Sequence, residues 1–245
     1  MEYSFMLYDY NQTKNNFFDS LYTTNNQTIQ IILNCMENTL INKNNNKIYK
    51  IMISRYFQMW RSIFYKYNSN DISNEIDKWL KDLTNPRIKY ETFSYPIIFG
   101  NIQIYSCFDI EYIKKSHQKF HKVEICQLLQ SLDENEIPDN IDEYDSTCLN
   151  GFPLAVVESV QKPKPYKIID GNHRFYFINK QDIKDYPVNV IHLSSLTEEM
   201  FINKFNFCIY LFYNLINYFN DCNNLLSMIF EFKKCKKILI SFNLL

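Results

Sequence analysis

Apolar positions recur at threes and fours along the first third of the chain. Thr28-Ile29-Gln30-Ile31-Ile32-Leu33-Asn34-Cys35-Met36 suits a helix. From Lys47 to Tyr67 the residues Ile48, Ile51, Met52, Met59 and Ile63 repeat at helical spacing, with Tyr56, Trp60 and Phe64 beside them. Asp71 to Leu83 repeats the device, with Ile72, Ile76, Trp79, Leu80 and Leu83 on one side and Asp71 as a cap. Asn85-Pro86 and Tyr95-Pro96 then set a boundary between about 85 and 95, because the residue before proline is pushed out of the helical region.

Beyond that boundary the period shortens. Ile97-Ile98-Phe99 and Ile102-Gln103-Ile104-Tyr105 read as two short strands around a tight turn at Gly100-Asn101. A helix is expected after Phe108-Asp109, bent around Ser116 to Lys122 and continuing from Val123 through Leu132. Asp133 to Asp145 is an acidic loop or flap; Pro153 to Glu158 and Tyr166 to Asp170 are strands joined by an exposed connection over Gln161 to Pro165. A helix from Arg174 to about Lys180 and a strand over Pro187 to Leu193 follow. Ser194 and Ser195, with Leu196-Thr197-Glu198-Glu199, then cap a helix over Met200 to Phe219, and Leu225 to Leu239 forms another; this pair is expected to pack on the helices of the first third. The pattern implies an α+β fold, a small mixed sheet with helices, flanked by helical N- and C-terminal segments and divided as 1–90, 91–196 and 197–245.

Composition narrows the class. With 46% hydrophobic and 17% aromatic residues among 245, a packed core is expected and disorder of the whole chain is not. The abundant Asn, in clusters such as Asn44-Asn45-Asn46, is given no site meaning. The formal charge of −1 supplies no field to concentrate DNA or RNA, and the mixed rings and cations of Arg55, Arg61, Tyr65, Lys66 and Tyr67 read as helix packing. Seven scattered cysteines without a Cys-x-x-Cys pair, and no leader pattern after Met1-Glu2-Tyr3, imply reduced thiols in a cytoplasmic protein. Phe205 to Phe219, interrupted by Asn206, Asn214 and Asn217, is too short and too polar to cross a bilayer, so no membrane partner is expected. His117 and His121 stand four apart as on one helical face, but Cys126 falls off that face and leaves a zinc set incomplete.

The candidate chemistry lies in Tyr166-Lys167-Ile168-Ile169-Asp170-Gly171-Asn172-His173-Arg174-Phe175-Tyr176-Phe177, a strand that stops, turns and starts a helix with polar residues at the joint. The first amides of a helix lack internal carbonyl partners, and the helix dipole favours an anion there. Gly171 lets the backbone bend and approach a ligand, and Arg174 offers a planar fork for phosphate or carboxylate. Asp170 is placed to hold a metal ion or orient a hydroxyl, and His173 to donate to an anion or move a proton. The same residues also fit a plain turn, with Asp170 as a helix cap and Arg174 as a salt-bridge partner.

Asp170-Gly171-Asn172-His173-Arg174 resembles the signature turn of the ParB/sulfiredoxin-like superfamily, and Gly151-Phe152-Pro153-Leu154-Ala155-Val156-Val157 resembles the strand that precedes it there. The resemblance spans roughly Pro96 to Leu193. It implies a nucleotide-phosphate site at Gly171, Asn172, His173 and Arg174, with Asp170 at a magnesium ion and ATP, ADP or CTP as the nucleotide. Similar free-serine kinases carry a glutamate base near the start of a helix, for which Glu124 is the nearest match. Asn172 replaces the cysteine that sulfiredoxin needs, and no helix-turn-helix reader of the ParB kind follows Leu193. The expectation is a magnesium-dependent phosphotransferase or nucleotide hydrolase with a small-molecule acceptor; a non-catalytic nucleotide-sensing or protein-interaction module and a DNA-binding or nuclease accessory are the alternatives, the last disfavoured by the charge.

Overall fold

The computed structural model describes residues 26–43, 45–67, 92–99, 102–116, 118–129, 149–150, 153–159, 164–220 and 225–245. The expected helix at Asp71–Leu83, the turn at Gly100-Asn101 and the acidic stretch at Asp133–Asp145 lie outside them, as does His117. The described chain is α+β and forms two compact units, one within 92–95 and 107–202, the other within 26–67, 96–106 and 203–245. Strands β1 (Thr92–Phe99) and β2 (Ile102–Asp109) pair with each other and contribute residues to both units.

In the helical unit, α1 (Asn26–Asn42) and α2 (Lys47–Lys66) occupy the stretches whose spacing predicts them. Asn46 caps α2, its side-chain oxygen accepting from the amides of Ile48 (2.8 Å) and Tyr49 (3.3 Å), which starts the helix. Helices α5 (Lys204–Asn220) and α6 (Leu225–Ser241) pack on α2, as expected. Rings interlock across the seam: Tyr56 meets Phe219 at 4.3 Å between centroids, and Trp60 meets Phe212 at 5.2 Å. Asn214, one of two buried asparagines in α5, satisfies its amide on the carbonyl of Tyr210 (2.9 Å), which lets a polar residue sit in an apolar helix. No helix among the described residues is long and apolar enough to cross a membrane.

The other unit carries a five-stranded sheet. Its strands are β3 (Phe120–Glu124), β4 (Leu128–Leu129), β5 (Leu154–Glu158), β6 (Tyr166–Asp170) and β7 (Asp185–Ile191), in the order β3-β7-β5-β6-β4. β5 runs parallel to β7 and antiparallel to β6, while β3 runs antiparallel to β7 and β4 parallel to β6. The two edge strands β3 and β4 are consecutive in sequence. A flat sheet would hold them about 19 Å apart, four spacings of about 4.8 Å, yet the four steps from Glu124 to Leu128 reach at most about 14 Å. The sheet must therefore curl until its edges approach. Helix α4 (Asn172–Lys180) fills the inside of that curl, with Phe175 and Ile178 packed among Val123, Leu154, Val156, Ile168, Val188 and Val190. Ala155, Val157 and Ile169, on the opposite side of their strands, are buried too, which explains why Leu154 to Val157 of β5 reads as a continuous apolar run.

Two expectations need correction. The segment after Ser116 is not a continued helix: α3 (Ile110–Ser116) ends, and Phe120–Glu124 enters the sheet as an edge strand of which only Val123 is buried. Pairing with β7 overrides local helical pattern there and places His121 on a strand, opposite Val188. Ser194 and Ser195 do not cap a helix over Met200–Phe219, since short 3-10 turns fill Leu193–Ser195 and Glu198–Met200 and α5 starts only at Lys204. Ser195 instead accepts from the amide of His192 (3.2 Å).

Trp60 is fully buried, so Trp60→Ala is expected to cost about 3–5 kcal/mol in urea unfolding; a loss below about 1 kcal/mol would show that the aromatic seam does not hold the helical unit together. A second expectation concerns Lys167 on β6, whose pKa burial lowers from 10.5 to about 8. Between those values the unfolded chain keeps a proton that the folded protein has released, so the penalty is full below pH 8 and fades as pH rises toward 10.5. Lys167→Met should therefore exceed the parent in stability at pH 7, by up to about 3 kcal/mol, and lose that advantage near pH 10.5. An advantage constant across this range would point to packing instead of buried charge.

Candidate functional site

The corner between β6 and α4 is built by backbone first. The β5–β6 register slips by one residue: Val156 faces Ile168, but Ala155 faces Asp170, where unbroken pairing would set Asp170 against Leu154. Such a bulge bends the strand and re-aims the residues beside it. The next residue, Gly171, has φ = 91°, in the left-handed region that glycine enters at little cost. A methyl group there would lie 2.6 Å from Leu154 Cδ2 and 2.8 Å from Arg174 Nη2. The corner thus requires glycine twice, for its dihedral and for the room that Leu154 and the Arg174 guanidinium take up.

Helix α4 begins immediately. Its first intrahelical bond runs from the amide of Phe175 to the carbonyl of Gly171 (2.9 Å), so Asn172, His173 and Arg174 occupy the first turn, where the dipole is positive. One carboxylate oxygen of Asp170 accepts from Arg174 Nη2 (3.1 Å) and lies 3.2 Å from Lys114 Nζ of α3. All three side chains are largely shielded. Helix α3 is in turn fixed by Asp109, whose carboxylate accepts from the amide of Tyr112 (2.8 Å) and whose pKa burial raises. His173 is half-buried, and burial lowers its pKa, which favours the neutral imidazole.

The structure therefore gathers Asp170, Gly171, Asn172, His173 and Arg174 at one corner and adds Lys114. Lys114 comes from a separate element, and no local signal in Ile110–Ser116 marks it out. Glu124 stands apart from this group in its surroundings. It ends β3 opposite Asp185 and lines an open groove of about 660 Å³ beside Cys126, Phe175, Asn179 and Asp182, and none of Asp170, Gly171, Asn172, His173 and Arg174 lines that groove. Glu124 is a strand residue, not the helical one expected.

One lone carboxylate already shared by two cations makes a poor metal ligand, and no group of three or more His, Cys, Asp or Glu able to hold a metal occurs among the described residues. The charge of the trio favours the opposite kind of ligand. In the described ion pairs of this corner, two cations face one carboxylate beside the positive end of α4, a sum of +1 over the three groups.

Sequence reasoning also missed a pair at the far ends of the parallel strands β5 and β7. Glu158 joins His192 Nδ1 (2.8 Å) and accepts from the amide of Leu193 (2.7 Å), closing the end of β7 onto β5. Both residues were legible only as strand ends.

No protein-family model matches the chain, nor does any curated protein or solved structure. The fold is α+β.

Gly171→Ala is expected to lower stability by about 1–3 kcal/mol, through a strained dihedral and displacement of Arg174. Urea unfolding reads this directly; an unchanged midpoint would mean that the corner does not need its present dihedral.

Proposed function

We propose that the protein binds the phosphates of a nucleotide at the β6–α4 corner. The observation that carries this reading is the excess positive charge of Lys114 and Arg174 over Asp170, set against the first turn of a helix. Arg174 spends one terminal nitrogen on Asp170, and a guanidinium has five N–H donors, so its fork is oriented by the carboxylate while donors remain for an anion. Asp170 acts here as the anchor that aligns two cations. The resemblance of Asp170-Gly171-Asn172-His173-Arg174 to the ParB/sulfiredoxin-like turn supports the same ligand class and a ParB-like core for the sheet.

On that resemblance the reaction is phosphoryl transfer or nucleotide hydrolysis, in which fixed donors stabilise charge spreading over the transferred group. Asp170 is the one carboxylate among Asp170 to Arg174, and no step is assigned to a metal ion. Proton transfer falls to His173, because a neutral imidazole can accept a proton from a hydroxyl or water. Glu124 is assigned no step, since its groove is lined by none of the corner residues from Asp170 to Arg174. The alternative of a nucleotide sensor without turnover shares the corner and differs only in product.

Calorimetric titration with ATP, ADP and CTP, each with Mg²⁺, is expected to show binding that Arg174→Ala weakens by about 10- to 100-fold, the worth of one charge-assisted contact. Lys114→Ala should weaken it by a similar factor, and Lys164→Ala, in the groove, should leave it unchanged. Binding by Arg174→Ala equal to the parent's would refute the site. Phosphate release by the parent distinguishes an enzyme from a sensor.

A further inference from the structure

The outward face of α6 mixes exposed apolar side chains with lysines. Met228, Cys235 and Leu239 are buried on one side. At 3.6 residues per turn, the opposite arc of roughly 160° presents Leu226, Phe230, Lys233, Lys234, Lys236, Lys237 and Ile240. Leu226, Phe230 and Ile240 are 79%, 67% and 52% exposed, large values for such side chains. They share the middle of the arc with Lys233 and Lys237, while Lys236 and Lys234 lie toward its two sides. Lys234 approaches Glu231 at 3.8 Å, and between Phe232 and Ser241 the helix holds four lysines and no Asp or Glu.

We propose that this face docks the protein on an anionic lipid surface. From Leu226 to Ile240 the helix extends about 21 Å, long enough to lie along a membrane plane with its apolar side chains in the headgroup boundary. The lysine stems follow the apolar surface while their ammonium groups reach anionic headgroups. The charge also selects against other occupants. A second copy would bring lysines onto lysines, and a nucleic-acid backbone would leave Leu226 and Ile240 in water with Phe230 as the one ring available for stacking. This is peripheral attachment, in keeping with the lack of a spanning helix among the described residues.

The test is sedimentation of the full chain with phosphatidylcholine vesicles, with and without about 30% phosphatidylserine. Binding should be at least about tenfold stronger on the anionic vesicles and should fall with added salt. Lys233→Gln with Lys237→Gln should reduce it by about 25-fold, and Phe230→Ser by about tenfold, with far-UV circular dichroism unchanged because these side chains are exposed. Absent binding, equal binding to the two vesicles, or binding that survives either variant would overturn the proposal. So would equally tight binding to a single-stranded oligonucleotide or polyglutamate that ignores Phe230→Ser.

Discussion

The candidate site depends on one local constraint, the left-handed turn at Gly171 with Arg174 folded back over it. Leu154 beneath the corner and the guanidinium above it leave no room for a side chain at this position. That packing holds the start of α4 against β5, and Asp170 ties it to the preceding strand end. The β-bulge one step earlier is part of the same device, because it moves Asp170 out of the pairing position that an unbroken ladder would give it. Backbone irregularity at two adjacent points thus produces an ordered group of charged side chains within a buried neighbourhood.

Electrostatics decide what such a group can hold. A carboxylate with two cationic neighbours is neutralised, and a helix terminus adds positive potential, so a cation placed there would meet repulsion and an anion attraction. Burial of His173 works in the same arrangement by favouring its neutral form, which leaves the positive charge to Lys114 and Arg174. The open groove that Glu124 lines leans acidic: Glu124, Asp182 and Asp185 stand against Lys164 and Lys184, so it offers an anion no excess of positive charge.

How much was legible in the chain follows from how local each determinant is. The strand, turn and helix over Tyr166–Lys180 could be read directly, because Ile168-Ile169 suits a buried strand and Asp170-Gly171 punctuates it. The helices over Lys47–Lys66 and Leu225–Ser241 were equally plain from their apolar spacing. Strand β3 was not, since only Val123 of its five residues is buried and the pairing that makes it a strand comes from β7, distant in sequence. Lys114 was invisible for the same reason: its importance comes from a tertiary contact with Asp170 and not from its neighbours. The two serines at 194–195 matched a capping pattern, but the following residues form short 3-10 turns before α5, and Ser195 closes a local turn on His192.

The most direct measurement is an amide chemical-shift titration of the parent protein with a nucleoside triphosphate. An anion seated at the corner should produce its largest perturbations at Gly171, Asn172, His173 and Arg174, with a smaller set around Lys114. Perturbations centred on the groove between Glu124 and Asp182, or none at any concentration of nucleotide, would contradict the claim that this turn is a phosphate site.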